Sequence, residues 1–452
     1  MMSRVVSIAW LVAALAATVT PLAAQQPGGT LTLDEALRIA RDQNPAFQRA
    51  RNDVDPAGMA VRAAWASAFL PSLNASMGFN GSQSTAVTGL DPFNQVVRLE
   101  EPRRSRGSGA SQGISAGITL FDGLASIRNL QAQRADLDGT ESAIAAQEVQ
   151  LVAQVSREYY QAVRTLRLIT LEETLLASAR DRLTSTEALL RLAARNRVDV
   201  LGARADVAQF EQAVERARGE ADKARLTLAA TLGLDPTTSF TVVTELPEVF
   251  DPADLDADVL VATALAGSPV IRQREAAVAA ATQRVAAARG RRLPTISGNV
   301  SYNRSVNQPG YGAWGEFNPL NYGYSFGVSA SLPVFSRFQT SANIASAAAA
   351  AEDADHDLRG ARLNLERDVR SALIDLENAY RSLQLAEQNA ELSRERQELT
   401  QEQYRLGGIN FTELQNVIDR TAQAERQALD ARFQFITAVL NLEERLGRSL
   451  GS

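Results

Sequence analysis

The chain has 452 residues and a formal net charge of −6, from 46 basic and 52 acidic side chains. This mild negative charge argues against a nucleic-acid-binding protein, which needs a basic patch. The sequence has no cysteine and a single histidine, His356, which excludes disulfide frameworks, thiolate metal sites and histidine-clustered metal sites.

The first residues are typical of a secretory signal peptide. Arg4 gives a short basic start, an apolar run extends from Val5 to about Val19, and small residues precede Gln25. We therefore expect residues 1–24 to be a signal peptide. A membrane anchor is the alternative, but Pro21 ends the apolar run before it could comfortably span a bilayer. No later segment has about 18 uninterrupted apolar residues, so we expect no other transmembrane helix.

The rest of the sequence contains an internal two-fold repeat. Phe121 and Phe335 are separated by 214 positions, and so are the Leu-Gly pairs that begin at Leu232 and Leu446. A constant offset of this kind indicates two structurally equivalent halves. The predicted units are a first repeat, a linker rich in Pro, Thr and Asp, a second repeat and a short tail: 25–233, 234–256, 257–447 and 448–452.

Each half is predicted to contain a helix, a β-hairpin and two long helices. In the first half these elements are expected at 33–69, 72–120, 124–192 and 199–232. In the second half they are expected at 258–292, 295–334, 338–406 and 412–446. The linker contains one possible short strand at Phe240–Val243.

The hairpin strands alternate apolar and polar residues with a period of two. In the clearest strand, Tyr322, Phe326 and Leu332 share one face. The other face of all four strands is almost entirely Gly, Ser, Asn and Thr, whereas a soluble sheet usually carries Lys and Glu there. Small neutral residues suit a strand that lines a wet lumen while its other face meets lipid. We therefore favour a membrane barrel over a soluble sheet.

Four strands cannot close a barrel, because an open sheet edge in hydrocarbon leaves backbone groups without hydrogen bonds. Several chains are therefore expected to share one barrel. Each membrane strand should need roughly 9 to 11 residues. The segments Gly81–Gly109 and Ser305–Asn321 are predicted to be loops on the outer surface, and the aromatic belt at the membrane interface has three candidates, Phe317, Tyr322 and Tyr324.

The long helices have the spacing of coiled coils. A heptad row runs from Val200 to Leu228, and its copy 214 residues later runs from Leu414 to Leu442. The stretch 124–192 has no proline and would form a helix on the order of 100 Å long. With an export signal and barrel strands, the simplest geometry is a helical tube that projects into the periplasm. The turns at its far end would close the tube or meet a partner.

Motifs near these turns resemble those of the TolC family of outer-membrane efflux proteins, over essentially the whole mature chain. The family repeats an aromatic residue, a glycine three residues on, and an Asp-Val-Leu run six further. The second-half matches are Tyr404-Arg405-Leu406-Gly407 and Glu413-Leu414; the first-half matches are Leu190 to Ala193 and Asp199-Val200-Leu201. Asn44-Pro45 and the Leu-Pro pair before each first strand also fit.

The resemblance implies an α+β membrane protein with a two-fold internal repeat. Each chain would contribute four strands to a shared trimeric outer-membrane β-barrel and coiled-coil helices to a periplasmic α-helical barrel. The implied function is a passive exit duct of a tripartite efflux or type I secretion system. The implied partners are two further copies of the chain (a homotrimer), a periplasmic adaptor (membrane fusion) protein, an inner-membrane pump of the RND, ABC or MFS type, and outer-membrane lipid.

Two other classes of protein are alternatives. A periplasmic coiled-coil adaptor or spacer without a channel would explain the helices but not four lumen-like strands. An enzyme is disfavoured because the sequence shows no nucleophile with a paired base, no Gly-rich phosphate loop and no metal-ligand cluster. We accordingly expect no catalytic activity, no cofactor, no metal and no bound nucleic acid.

The resemblance also assigns candidate site residues at the helical tip. The periplasmic gate would be formed by Asp199, Glu413 and Asn416. The adaptor docking tips would be formed by Leu190, Ala193, Tyr404, Arg405, Gly407 and Gly408. Where the family has an acidic pair, this chain has Glu413 and the neutral Asn416, which weakens the case for cation binding. For Asp199, a helix-capping role is equally compatible with the sequence.

Overall fold

The computed structural model describes residues 29–90, 92, 94–191, 196–313 and 321–450. The predicted signal peptide 1–24, Ala193 and Phe317 lie outside the described residues. In the first half, the elements are α1 (Leu33–Gln43), α2 (Pro45–Asn52), α3 (Val54–Phe69), β2 (Ser72–Leu90), β3 (Val96–Phe121), α4 (Ala125–Arg191) and α5 (Arg197–Leu232). In the second half, they are α6 (Ala257–Gly267), α7 (Pro269–Gly290), β5 (Thr295–Pro309), β6 (Asn321–Ser331), α8 (Gln339–Arg405) and α9 (Phe411–Leu446).

The single helix predicted at the start of each half is broken in the structure. The first-half helix is broken at Asn44 and again at Asp53, and the second-half helix is broken at Ser268. Asn44 and Ser268 are extended, with φ −63° and ψ 119° or 120°. Each precedes a proline, and the residue before proline is pushed out of the helical region. The Asn44 side chain then caps α2 by accepting hydrogen bonds from Ala46 N and Phe47 N at 2.9 and 3.0 Å.

The two long helices of each half have matching lengths. Both α4 and α8 contain 67 residues, and both α5 and α9 contain 36. At 1.5 Å per residue, the longer helix of each pair extends about 100 Å. This agreement confirms the internal repeat. Among the described residues, none of the helices combines the length and apolar composition that a membrane crossing requires.

The four long strands form one antiparallel sheet in the order β2-β3-β5-β6. The strands contain 19, 26, 15 and 11 residues. Most of the predicted outer loop 81–109 is therefore strand, since Gly81 to Ala86 pair with Ser108 to Arg103. Backbone pairing requires two extended chains in register. It does not depend on apolar side chains, so the polar composition of this segment did not exclude pairing.

The predicted apolar and polar faces of the strands are continuous across the sheet. One row of register partners is Leu73, Ala116, Val300 and Phe326, and the adjacent row is Asn74, Ser115, Ser301 and Ser325. The large side chains of the apolar row are exposed in the single chain. In the part of the chain that the structure describes, the edge strands β2 and β6 each pair with only one neighbour. The apolar face and both edges are thus left for lipid or for other copies.

The linker between the halves contains the expected short strand, which is shorter than the predicted Phe240–Val243. Strand β4 (Thr241–Val242) pairs in parallel with β1 (Thr30–Leu31), a partner that the sequence did not reveal. The hydroxyl of the buried Tyr159 on α4 lies 3.1 Å from Leu31 O and 3.0 Å from Val243 O. The start of the described chain and the linker are therefore attached together to the middle of α4.

Candidate functional site at the helical tip

The predicted gate carboxylates occupy equivalent positions at the starts of α5 and α9. The Asn196 side chain accepts a hydrogen bond from Asp199 N at 2.9 Å, and the Asn410 side chain accepts one from Glu413 N at 2.9 Å. The Asp199 carboxylate accepts a long hydrogen bond from Asn196 N at 3.5 Å, which completes a capping box. Asp199 therefore has a structural role in capping α5.

Glu413 and Asn416 lie on one exposed face of α9, because residues three apart on a helix are neighbours. Among the described residues, the Glu413 carboxylate has no hydrogen-bond or ion-pair partner. The sequence therefore located a free carboxylate and an amide side by side at the tip. Asp199 is on a different helix and is occupied by its cap.

The predicted docking residues separate into exposed and buried groups. Arg405, Gly407 and Gly408 are exposed, whereas Leu190 is half-buried. Tyr404 is only 5% exposed, and its ring lies against Phe411 with centroids 6.1 Å apart. Tyr404 thus supports the turn from inside the protomer. Ala193 lies outside the described residues.

The turn between α8 and α9 requires glycine at position 407. Gly407 has a φ of +85°, a left-handed conformation that ends α8. Its N–H donates to Tyr404 O at 3.0 Å, and the N–H of Gly408 donates to Gln403 O at 2.9 Å. These bonds fix the backbone of the turn, while the space around a Cβ at Gly407 is open.

A close contact that the sequence did not reveal joins the two halves at the tip. A Cβ added at Gly202 of α5 would lie 2.6 Å from Cε1 of Phe411, the first residue of α9. Gly202 therefore permits the aromatic ring to pack directly on the α5 backbone. An isolated glycine inside a long helix was the available signal, since such a glycine often marks a packing contact.

Polar contacts connect the helices of the first repeat to α9, and we call four of them the inter-repeat ladder. In the first three, Arg157, Arg164 and Glu172 of α4 pair with Glu444, Asp430 and Arg426 at 2.6 Å each. In the fourth, Gln415 donates to Asp206 of α5 at 2.7 Å. The ladder holds the two repeats of one protomer together along the tube.

Asp206, the ladder residue nearest the start of α5, is buried, with 6% of its surface exposed. Burial raises the pKa of Asp206; the Arg182 guanidinium opposes this rise, and the Asp419 carboxylate adds to it. Burial also lowers the pKa of Arg182, whose Nη2 has no hydrogen-bond partner among the described residues. The sequence had suggested only solvated or inter-helix carboxylates, so this buried charge was not expected.

The raised pKa of Asp206 predicts a pH dependence. Because the folded state holds this proton more tightly than the unfolded state, the resulting stability is complete below the unfolded pKa and is lost as pH rises through the folded pKa. We expect the wild type to gain thermal stability relative to Asp206→Asn as the pH falls from neutral towards the ordinary aspartate value of 3.8. Melting curves of both proteins across this pH range measure the difference in stability. A stability difference that does not change with pH would contradict this prediction.

A second exposed surface lies along α8, and we call it the α8 stripe. Its six members are large aliphatic side chains that are 57–79% exposed: Leu363, Ile374, Leu385, Leu392, Leu399 and Leu406. The first three are spaced by 11 residues and the last four by seven. Both spacings keep side chains on one side of a supercoiled helix. An aliphatic row of this length is typical of a surface that another chain covers.

Comparison with known proteins agrees with this architecture. A family model described as outer membrane efflux protein matches residues 36–234 and 260–448. Among curated proteins, Protein CyaE of Bordetella pertussis is 25% identical over 283 residues, which is 62% of this chain and 56% of that protein. The match thus spans little more than half the length of that relative.

Solved structures share the fold at low sequence identity. CusC has a TM-score of 0.76 at 19% identity, with 92% of each chain covered. A membrane protein from Pseudomonas aeruginosa has a TM-score of 0.75 at 22% identity, covering 92% of this chain and 93% of that one. VceC of Vibrio cholerae has a TM-score of 0.74 at 15% identity, covering 92% and 96%. With two matched segments that cover both repeats, the chain belongs to the outer membrane efflux protein family.

Proposed function

We propose that the protein is the outer-membrane channel subunit of a tripartite efflux or type I secretion system, acting as a passive exit duct. The observation that carries this proposal is the sheet. It has one continuous apolar face, one face of small polar residues, and two edge strands that each pair with a single neighbour among the described residues. A sheet of this kind becomes stable in a bilayer only when copies close it into a barrel. The helices, about 100 Å long, extend the duct away from the membrane.

A homotrimer with twelve strands accounts for both the open strand edges and the α8 stripe. Neighbouring copies would pair β6 with β2, and they would cover the aliphatic row of α8. The periplasmic adaptor would dock at the exposed turn formed by Arg405, Gly407 and Gly408, with Leu190 and Ala193 at the equivalent turn. Tyr404 would hold that turn in shape. Transport energy would come from an inner-membrane pump of the RND, ABC or MFS type.

Insertion of the purified protein into planar bilayers tests the channel. Discrete conductance steps are the expected result. A product that stays soluble without detergent and gives no conductance would contradict the channel and support a periplasmic spacer.

The gate is proposed to be formed by Glu413 and Asn416, with Asp199 close to the same end of the tube. Three copies would place three Glu413 carboxylates around the entrance, and like charges in a ring favour cations. We expect Glu413→Ala to lower the preference for cations over anions, measured as a shift in reversal potential across a salt gradient. Glu391→Ala is the matched control, since it removes a carboxylate roughly 20 Å from the turn along α8. Unchanged selectivity in Glu413→Ala would reject the gate assignment.

The docking proposal predicts a steric block. Gly408→Trp places a large ring at the turn without requiring a left-handed backbone, which only Gly407 has there. We expect it to reduce cross-linking to the adaptor at least tenfold while conductance remains. Gly219→Trp is the control, because a Cβ at Gly219 of α5 meets open space and lies away from the turn. Equal cross-linking by both variants would place the docking surface elsewhere.

A further inference from the structure

One charged side chain lies on the apolar face in the part of the sheet nearer the helices. In the strand segments 72–90, 107–121, 295–309 and 321–331, Arg304 is the only Asp, Glu, Lys or Arg. The register places Arg304 opposite Gln112 on β3 and Tyr322 on β6, on the face that carries Met77 and Phe326. A cation on the outward face of a membrane strand is costly at mid-bilayer and tolerated near the interface.

Three tyrosines mark the level at which Arg304 lies. The Tyr302 ring is 5.0 Å from the Tyr324 ring and 6.5 Å from the Tyr322 ring, centroid to centroid. Tyrosine is enriched at the boundary between membrane and water. The strand direction places the hairpin tips above this level and the helices below it. Arg304 therefore lies near the outer end of the apolar face, one row inside Phe79 and Val306. Its buried Nε has no hydrogen-bond partner among the described residues.

Two more arginines follow on the same face, nearer the hairpin tip. Arg106 pairs with Gln83 and Arg104 pairs with Thr85, in uninterrupted register with Leu73 and Met77. Arg106 Nε donates to Gln83 Oε1 at 3.1 Å, and its guanidinium lies 5.9 Å from the centre of the Tyr311 ring.

The acidic residues of this strand lie nearer the hairpin tip than Arg103, Arg104 and Arg106. Glu100 and Glu101 fall in the irregular segment beyond Arg103, where the pairing shifts. The outward face between the tyrosines and this shift therefore carries arginines without carboxylates among the described residues.

We propose that Arg304, Arg106 and Arg104 bind the phosphate groups of an anionic glycolipid in the outer leaflet. Arginine pairs with phosphate through two parallel hydrogen bonds. Arg304 and Arg106 are six residues apart in strand register, about 20 Å along the strand. A simple phospholipid headgroup does not span two levels that far apart. The chemistry that fits is a lipid whose sugar headgroup is phosphorylated at more than one level.

The proposal goes beyond the channel function and requires only that the sheet is inserted in a bilayer. The test uses the assembled protein in detergent, titrated with a rough-type lipopolysaccharide that carries a phosphorylated core, with bound lipid counted by native mass spectrometry. Arg304→Gln and Arg106→Gln should each weaken binding about fivefold. Arg304→Lys should retain most of the affinity, since it keeps the charge. Arg103→Gln is the matched control, because Arg103 pairs with Ala86 and lies on the opposite face of the same strand.

Three outcomes would overturn the proposal. The first is equal binding of the same lipid after its phosphates have been removed. The second is an equal loss of affinity in Arg103→Gln. The third is complete displacement of the lipid by millimolar inorganic phosphate, which would indicate a site for free phosphate. Bilayer conductance of each variant is recorded in parallel, so that failure of lipid binding and failure of the channel are told apart.

Discussion

Replacing Leu392 with glutamate should convert the assembled protein into monomers. Leu392 lies within the α8 stripe and is 57% exposed in the single chain. Burying a leucine side chain contributes about 1.5–3 kcal/mol. A buried carboxylate without a partner opposes assembly further. In the proposed closed ring every interface would carry the same substitution, so the effects would accumulate around the ring.

The molar mass of the detergent-solubilised protein, measured by light scattering after size-exclusion chromatography, checks this result. Leu392→Met is the matched control, because it keeps the volume and apolar character of the side chain and should assemble normally. If Leu392→Glu assembled as the wild type does, the α8 stripe would not be a contact between copies.

The second large effect is expected at the inter-repeat ladder. Arg426 Nε and Nη2 pair with the two Glu172 carboxylate oxygens at 2.6 and 2.8 Å, and the Glu172 side chain is 5% exposed. Hydrogen bonding to this carboxylate raises the pKa of Arg426. Glu172→Ala leaves a partly buried guanidinium without its counterion, which costs about 3–5 kcal/mol at fully buried sites. Because the Arg426 side chain is 36% exposed, we expect about 2 kcal/mol here.

Thermal denaturation measures the loss of stability, and single-channel recording measures its consequence for the pore. We expect a lower midpoint together with a higher conductance, because the ladder ties α9 to the first repeat. The neighbouring Glu173→Ala is the control: Glu173 pairs with Arg218 at 2.8 Å, but both side chains are about half exposed, at 50% and 53%. Exposed pairs contribute about 0–1 kcal/mol. Equal effects of the two substitutions would show that the ladder does not restrain the tube.

The parts of the fold that the sequence predicted are those encoded by a period. The 214-residue offset predicted two repeats, the alternation around Phe326 predicted the sheet faces, and the heptads from Val200 predicted the paired helices. Each of these patterns is local or repeated, so it does not depend on knowing which distant residue will be a neighbour.

The parts that the sequence did not reveal depend on such distant neighbours. Glu172 and Asp206 look like solvated helix carboxylates until α9, more than 200 positions away, covers them. The extension of the hairpin through Arg104 depends on backbone pairing, which cannot be predicted from its polar side chains. Tyr404 matched the docking motif, yet whether it faces a partner or the core is decided by Phe411.

The change in spacing along the α8 stripe has a mechanical consequence. An 11-residue repeat winds helices with a slight right-handed twist, whereas a seven-residue repeat winds them left-handed. The switch occurs at Leu385, and Leu406 at the turn lies 21 residues further on, about 30 Å along the helix. On the membrane side of Leu385, the helices of the tube should run nearly parallel to its axis and keep a constant inner diameter. Between Leu385 and the turn, the helices should be tilted relative to this axis. A small change in their tilt would alter the diameter of the entrance.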